Sequence, residues 1–362
     1  MSIQIDEAAA VKLLRKLLEE VKETPSKTCL IKEVIDLTNK GKGCLAYRYI
    51  LFSALTAKAV EPLVDILSLQ HQDESPGAYE ARGLCSKVIV PFQDQYLNNV
   101  LGSSDPLVGK PGRYKRLSPE NAARGDGRRV LNRLCEDLPK VKTESEAKDC
   151  LRYLLTYWWK YAQDLASRQA EATQSAKGSD VFKCRALIEN FLGRGFGGAA
   201  LVVSTAAMIR VIFPSPDYKV RVHPVNQSGL SSQQFSDIDV YKDDKPYLAV
   251  ECKDKQFVER EVKKAVKTST KVAVERVMFV AGRQSRGYTK GDEYFKELRQ
   301  TCDQSNIRLG IVDIDDLVDC VFTCYEFDPG KLIEQMSEDV GVAGSVEAQL
   351  WLYDEISNLG KD

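Results

Sequence analysis

The spacing of apolar residues divides the chain into two halves with different rhythms. In the first half, Val11, Leu14, Leu17, Leu18 and Val21 recur every three to four positions, which predicts an amphipathic helix over residues 8–21. Residues 47–67 form a second apolar and largely helical stretch. Residues 80–101 are mixed, and Pro91 should break them because proline lacks the N–H of the helical ladder. Residues 147–166, with Trp158 and Trp159, read as a strong helix. Residues 102–129 are rich in Gly, Pro and charge and read as loop. Residues 167–180 are small and polar and read as a junction between domains.

In the second half, helices at 181–192 and 199–212 precede a change to strand periodicity. Strands are predicted at 219–225, 237–241, 247–253, 277–281 and 307–314, with a polar loop at 226–234. A helix with Val258, Val262, Ala265 and Val266 on one face follows the third strand, and another is expected around 291–304. From 237 onwards the order is strand–strand–helix–strand–helix–strand, which predicts an α/β fold with a mixed sheet flanked by helices. The expected organisation is a mostly helical domain over 1–175, an α/β core over 176–325 and an acidic helical tail over 326–362. Residues 325–362 carry nine acidic residues against two lysines, so that end would repel a polyanion. Leu350, Trp351 and Ile356 are its expected buried face.

Composition mainly excludes. The 362 residues carry 51 Lys+Arg against 52 Asp+Glu, so any nucleic-acid contact must come from a local patch. The apolar run at 198–209 contains Ser204 and Thr205 and stops at Arg210, too short for a bilayer. With no basic and apolar leader at the start, a soluble cytoplasmic protein without a membrane partner is expected. The ten cysteines form no CxxC pair and are expected to be free thiols. Only His71 and His223 are present, which argues against His-built zinc sites and His-based nucleophile activation. Carboxylates and lysines are left to carry any chemistry.

They gather at Ser236-Asp237-Ile238-Asp239-Val240-Tyr241 and Tyr247-Leu248-Ala249-Val250-Glu251-Cys252-Lys253. Side chains alternate between faces along a strand, so Asp237 and Asp239 share one face of the first strand, and Glu251 and Lys253 share one face of the second. A three-residue hairpin loop at 243–245 would pair Lys242 with Pro246 and set Asp237 opposite Glu251 and Asp239 opposite Ala249. Three carboxylates and an amine on one face are costly unless something binds there. A hard divalent cation such as Mg2+ suits them, because it takes oxygen ligands and keeps room for water and phosphate. Asp237, Glu251 and the Cys252 carbonyl would be its protein ligands, and Lys253 would meet the attacking water and the phosphate.

This arrangement, followed by a helix and another strand, resembles the PD-(D/E)xK nuclease signature over about residues 181–315. Ser236 stands where the signature has Pro, a loose position. The resemblance implies that Asp237 and Glu251 bind metal and that Lys253 assists the nucleophilic water. Asp239 competes with Asp237, but the hairpin register favours Asp237. A narrower resemblance extends into the first half. Leu84-Cys85, Val88, Val90-Pro91, Leu101-Gly102, Pro106 and Pro111 resemble the N-terminal region of SacI-type restriction endonucleases. That family's pattern is basic, though not strictly Lys, at the Lys253 position. It implies a type II enzyme, a homodimer, that cuts duplex DNA at a short palindrome with Mg2+. The expected alternatives are a modification- or structure-dependent nuclease of this fold, or a non-catalytic DNA-binding protein.

Glu189, on an upstream helix, is a possible further acidic residue, where such nucleases sometimes add one. Residues 110–129 hold seven basic residues against two acidic ones. Arg113, Lys115, Arg116, Arg128 and Arg129 are therefore candidate DNA contacts, since Arg and Lys hold phosphates and Arg reads guanine. Arg283, Arg286 and Lys290 are further candidates. Gly193, Gly195 and Gly198 match a dinucleotide-binding pattern literally, but a helix precedes them where a strand is required. Gly109-Lys110 is followed by Pro111 without Walker spacing, so no nucleotide cofactor is expected.

Overall fold

Helix α1 (Glu7–Glu23) begins where the Asp6 carboxylate accepts the Ala9 N–H at 3.0 Å, satisfying a donor that the first turn leaves free. It buries Leu14, Leu17, Leu18 and Val21, the stripe that the spacing predicts. The computed structural model describes residues 2–40, 45–102, 106–107, 109–225, 234–285, 296, 299–300, 302–303 and 306–359. They fall into two units, Met1–Ala166 and Ser167–Asp362.

The first unit is helical. After α1 come α2 (Lys32–Lys40) and α3 (Leu45–Val60), and α3 is its central rod, with Tyr49, Ile50, Leu51 and Phe52 wholly buried. Next, α4 (Ala81–Leu84) and α5 (Val90–Tyr96) run together through a π-helical turn at Cys85–Ile89. Pro91 therefore does not break this segment. The Val90 N–H reaches back five residues to the Cys85 carbonyl, and the widened turn takes in the proline. The expected loop over 102–129 is also shorter, because α6 (Lys110–Arg113) interrupts it and α7 (Gly125–Asp137) begins within it. Helix α8 (Glu144–Ala176) starts three residues before the predicted span and runs ten residues past its end. The predicted junction begins with three Ala and two Gln over residues 167–176, which favour helix, and the helix is followed by Gly178 at φ +84°. The boundary between the units falls inside α8.

The second unit opens with α9 (Val181–Arg194) and α10 (Ala199–Ile212). A five-stranded sheet follows, in order β1 (Tyr218–Val222), β2 (Ile238–Lys242), β3 (Lys245–Lys253), β4 (Arg276–Ala281) and β5 (Arg308–Asp313). The pairs β1–β2 and β2–β3 are antiparallel, and β3–β4 and β4–β5 are parallel. Helix α11 (Glu259–Lys271) makes the crossover between the first parallel pair. Its Val262 joins Phe257, Val277, Phe279 and Ala281 in a core on one sheet face. Helix α10 is buried along nearly its whole length and packs against β1 and β3. Helix α12 (Ile314–Cys324) follows β5, and the tail forms α13 (Pro329–Ala343) and α14 (Val346–Leu359). Helix α13 packs on α10, and the buried Asp339 carboxylate is gripped by the Arg210 guanidinium. On α14, Ile356 is buried, Leu350 is half-buried, and Trp351 stacks on Phe191 with ring centres 5.5 Å apart.

The β2–β3 turn differs from the prediction. It has two residues, Asp243 and Asp244, both at positive φ as a tight hairpin of this kind requires. Lys242 pairs with Lys245 and Tyr241 with Pro246. A bulge then leaves Tyr247 unpaired and restores Val240–Leu248, Asp239–Ala249 and Ile238–Val250. The shorter turn and the bulge cancel, so the predicted register survives at Asp239. Most of the predicted 226–234 loop and of the 291–304 helix lies outside the described residues. No single helix among the described residues is long and apolar enough to cross a membrane.

Candidate active site

Glu251 and Lys253 occupy alternate positions at the end of β3, and so share a face. The Lys253 ammonium lies 2.7 Å from Glu251 Oε1. Asp237 immediately precedes β2, where its backbone carbonyl accepts the His223 N–H at 3.0 Å. Its carboxylate turns towards β3, and Oδ2 accepts the Cys252 N–H at 2.8 Å. The three predicted side chains meet in a cleft of about 480 Å³. Arg194, the Gly195–Gly198 backbone, Asp254, Lys255 and Lys264 complete much of its wall.

The charges are under tension. Burial pushes the Asp237 carboxyl up to about 6, the nearby Glu251 charge adds to this, and the Cys252 N–H and Lys253 only partly oppose it. For Lys253, burial favours the neutral amine, but the Glu251 and Asp237 carboxylates outweigh it and raise its affinity for the proton. Lys253 is therefore a firmly held ammonium. Two carboxylates repelling in a largely buried site are a donor set that a hard cation would relieve. Among the described residues, no three His, Cys, Asp or Glu side chains form a ready-made metal cage.

Asp239 has a different task. It is wholly buried and does not line the cleft. Its Oδ1 accepts the Ser236 N–H at 3.0 Å and the Ser236 hydroxyl at 2.7 Å, and its Oδ2 lies 2.8 Å from His223 Nε2. Ser236 Oγ in turn accepts the Val250 N–H at 3.1 Å. Asp239 thus pins the segment that presents Asp237. Glu189 is on α9 and pairs with Arg185 at 2.8 Å, and it is not part of the cleft wall.

The turn between α9 and α10 bends the chain by 102°. Gly195, Phe196, Gly197 and Gly198 all have positive φ, a run that only a glycine-rich segment holds without large strain. The turn brings the N-terminus of α10, the positive end of its dipole, to the cleft.

Residues 9–162 match the family model for the SacI restriction endonuclease N-terminal domain, and residues 177–283 match that for the SacI restriction endonuclease C-terminal domain. The chain belongs to the SacI restriction endonuclease family. No curated protein matches it. Family membership makes DNA the substrate and a restriction nuclease the class of activity. The matched SacI C-terminal domain contains Asp237, Glu251, Lys253, the glycine turn and α11, and it ends before β5.

The matched SacI N-terminal domain contains the basic segment. Arg113 lies on α6, and Arg128 and Arg129 lie on α7. The Lys115, Arg113 and Arg129 side chains are exposed. Arg116 is tied to Asp65 and, at 3.2 Å, to Asp73, while Arg128 donates to the Pro119 carbonyl. Burial works against the Arg116 charge, but the two carboxylates prevail and hold it above its ordinary range. Arg116 and Arg128 thus serve the unit's own loops. In the C-terminal domain, Arg283 pairs with Asp315 at 2.7 Å and donates to the Glu189 carbonyl at 3.0 Å. Arg286 and Lys290 lie outside the described residues.

Sequence reasoning missed two parts of the cleft. Asp254 follows Lys253, and strand alternation would turn it away, but β3 ends at Lys253 and the chain bends there. Asp254 Oδ1 accepts the Gln284 N–H at 3.0 Å, and burial raises its pKa. A Cβ at Gly282 would lie 2.3 Å from that oxygen, so the glycine makes room for it. The glycine turn is visible in the sequence as a motif, but its place in a cleft wall depends on the fold.

Proposed function

We propose that this protein is a Mg2+-dependent type II restriction endonuclease with a PD-(D/E)xK core, acting as a homodimer on a short palindrome in duplex DNA. The observation that carries the reading is the convergence of Asp237, Glu251 and Lys253 in one cleft at the end of β3. The mutual repulsion of the two carboxylates fits a divalent ion held by Asp237, Glu251 and the Cys252 carbonyl. Bound there, Mg2+ supplies Lewis acidity for water activation and charge neutralisation at phosphorus.

The protein's own residues divide the remaining work. Lys253 stays protonated beside Glu251, so it orients water and steadies phosphate charge rather than removing a proton. Asp239 and Ser236 fix the backbone that carries Asp237. The α10 N-terminus adds a fixed positive potential towards a phosphate in the cleft. No histidine is needed.

The test is incubation of the purified protein with long unmethylated duplex DNA, with Mg2+ or with EDTA. A discrete Mg2+-dependent ladder is expected, and end sequencing then gives the site and stagger. A smear would replace site specificity with nonspecific or structure-directed cleavage. Absence of cleavage on unmodified DNA, with cleavage of modified DNA, would mean a modification-dependent enzyme. Glu251→Ala and Lys253→Ala should each lower cleavage by at least about 100-fold, the scale for losing an electrostatic or acid–base group, and retain duplex binding. Retained cleavage in either variant overturns the assignment.

A further inference from the structure

We propose that α11 is a DNA-backbone track of the nuclease unit, guiding the duplex away from the cleft by contacts to its phosphates. The proposal rests on the nuclease reading above and adds a binding surface to it. Arg260, Lys264, Lys267 and Lys271 are spaced four, three and four residues apart. At about 100° per residue they lie within roughly one sixth of the helix circumference. All four are exposed. The opposite side holds Val262 and Ser269, both buried, and Val266, which packs against the Phe257–Phe279 core. The basic stripe is thus the solvent side of a firmly seated helix.

Two further observations give the stripe its occupant. None of the four cations forms a salt bridge among the described residues, whereas Arg116 and Arg283 are both neutralised by carboxylates. Cations with no internal partner favour a polyanion. The stripe is also continuous with the candidate active site, because Lys264 lines the same cleft as Glu251 and Lys253. From Arg260 to Lys271 the helix rises about 16 Å, a length over which duplex DNA presents roughly ten phosphates on its two strands. A phosphate in the cleft would therefore have neighbours within reach of the stripe.

The experiment measures binding of a long duplex by the full chain in EDTA, across a range of salt, for wild type and for Arg260→Gln/Lys267→Gln/Lys271→Gln. Each phosphate contact contributes about 0.9 to the slope of log affinity against log salt. The triple variant should lose roughly 2.7 from that slope and bind more weakly. Replacing Lys267 and Lys271 with Arg should keep the wild-type slope. Lys267→Gln alone should remove about 0.9, which keeps the test available if the triple variant misfolds. An unchanged slope in variants that retain the wild-type melting temperature overturns the track. So does an unchanged slope combined with loss of self-association, which would assign the stripe to a second copy of the chain. A wild type with no affinity for duplex DNA would instead defeat the nuclease reading itself.

Discussion

Asp237→Asn should stabilise the metal-free protein while abolishing cleavage. The perturbation keeps the shape of the side chain and an oxygen to accept the Cys252 N–H, and it removes the charge that Glu251 repels. The folded protein holds the Asp237 proton up to about pH 6, against 3.8 for the free side chain. Between those values the native state binds more proton than the unfolded chain, so stability falls as pH rises. Below about 3.8 both states are protonated and the penalty vanishes; above about 6 it is complete. At about 1.4 kcal/mol per pKa unit, the full penalty is about 3 kcal/mol. The variant escapes it, so in EDTA at pH 8 its melting temperature should be higher by up to roughly 6–12 °C, at 2–4 °C per kcal/mol for a unit of this size. At pH 5 the gain should shrink to about half. Added Mg2+ should raise the wild-type melting point and not the variant's, because only a competent site binds the ion. Thermal melts at the two pH values, with EDTA or Mg2+, read all of this. A variant no more stable than wild type at pH 8 in EDTA, or a gain independent of pH, would refute the reasoning.

Other residues separate structure from chemistry. Asp239→Ala removes a buried acceptor and strands Ser236 and His223, so it should cost about 2–4 kcal/mol in a denaturant titration; lost cleavage at unchanged stability would make Asp239 catalytic instead. Arg116→Ala should lower stability by leaving Asp65 and Asp73 without their cation, while Lys115→Ala should leave stability unchanged and flatten the salt dependence of DNA binding by about 0.9. The reverse pattern would exchange their roles. Asp339→Ala leaves Arg210 buried without its carboxylate and should destabilise by about 3–5 kcal/mol, far more than Asp339→Leu combined with Arg210→Met. Equal losses in the single and double variants would show that the ion pair is not what holds α13 to α10.

What the sequence made legible depended on how local the cause was. The strand pair bearing Asp237, Glu251 and Lys253 follows from alternation, a period of two that any register must respect. The predicted register was met at Asp239 although the turn was wrong, because an extra residue in the loop and a bulge at Tyr247 are equivalent in counting. The sequence is silent where a distant partner decides. Asp239 shares its face with Asp237 by parity, and only the folded chain reveals that its carboxylate is consumed by Ser236 and His223. Arg116 belongs to a basic segment by sequence, but Asp65 and Asp73, more than forty positions earlier, neutralise it. The α11 stripe is the converse case. Its apolar face is legible in the sequence and its basic face carries no signal there, because a charged helix surface is ordinary until one of its members opens into a cleft. Charge in a sequence therefore indicates a DNA contact only after the internal carboxylates have taken their share, and by that measure α11 is a stronger candidate than Arg116.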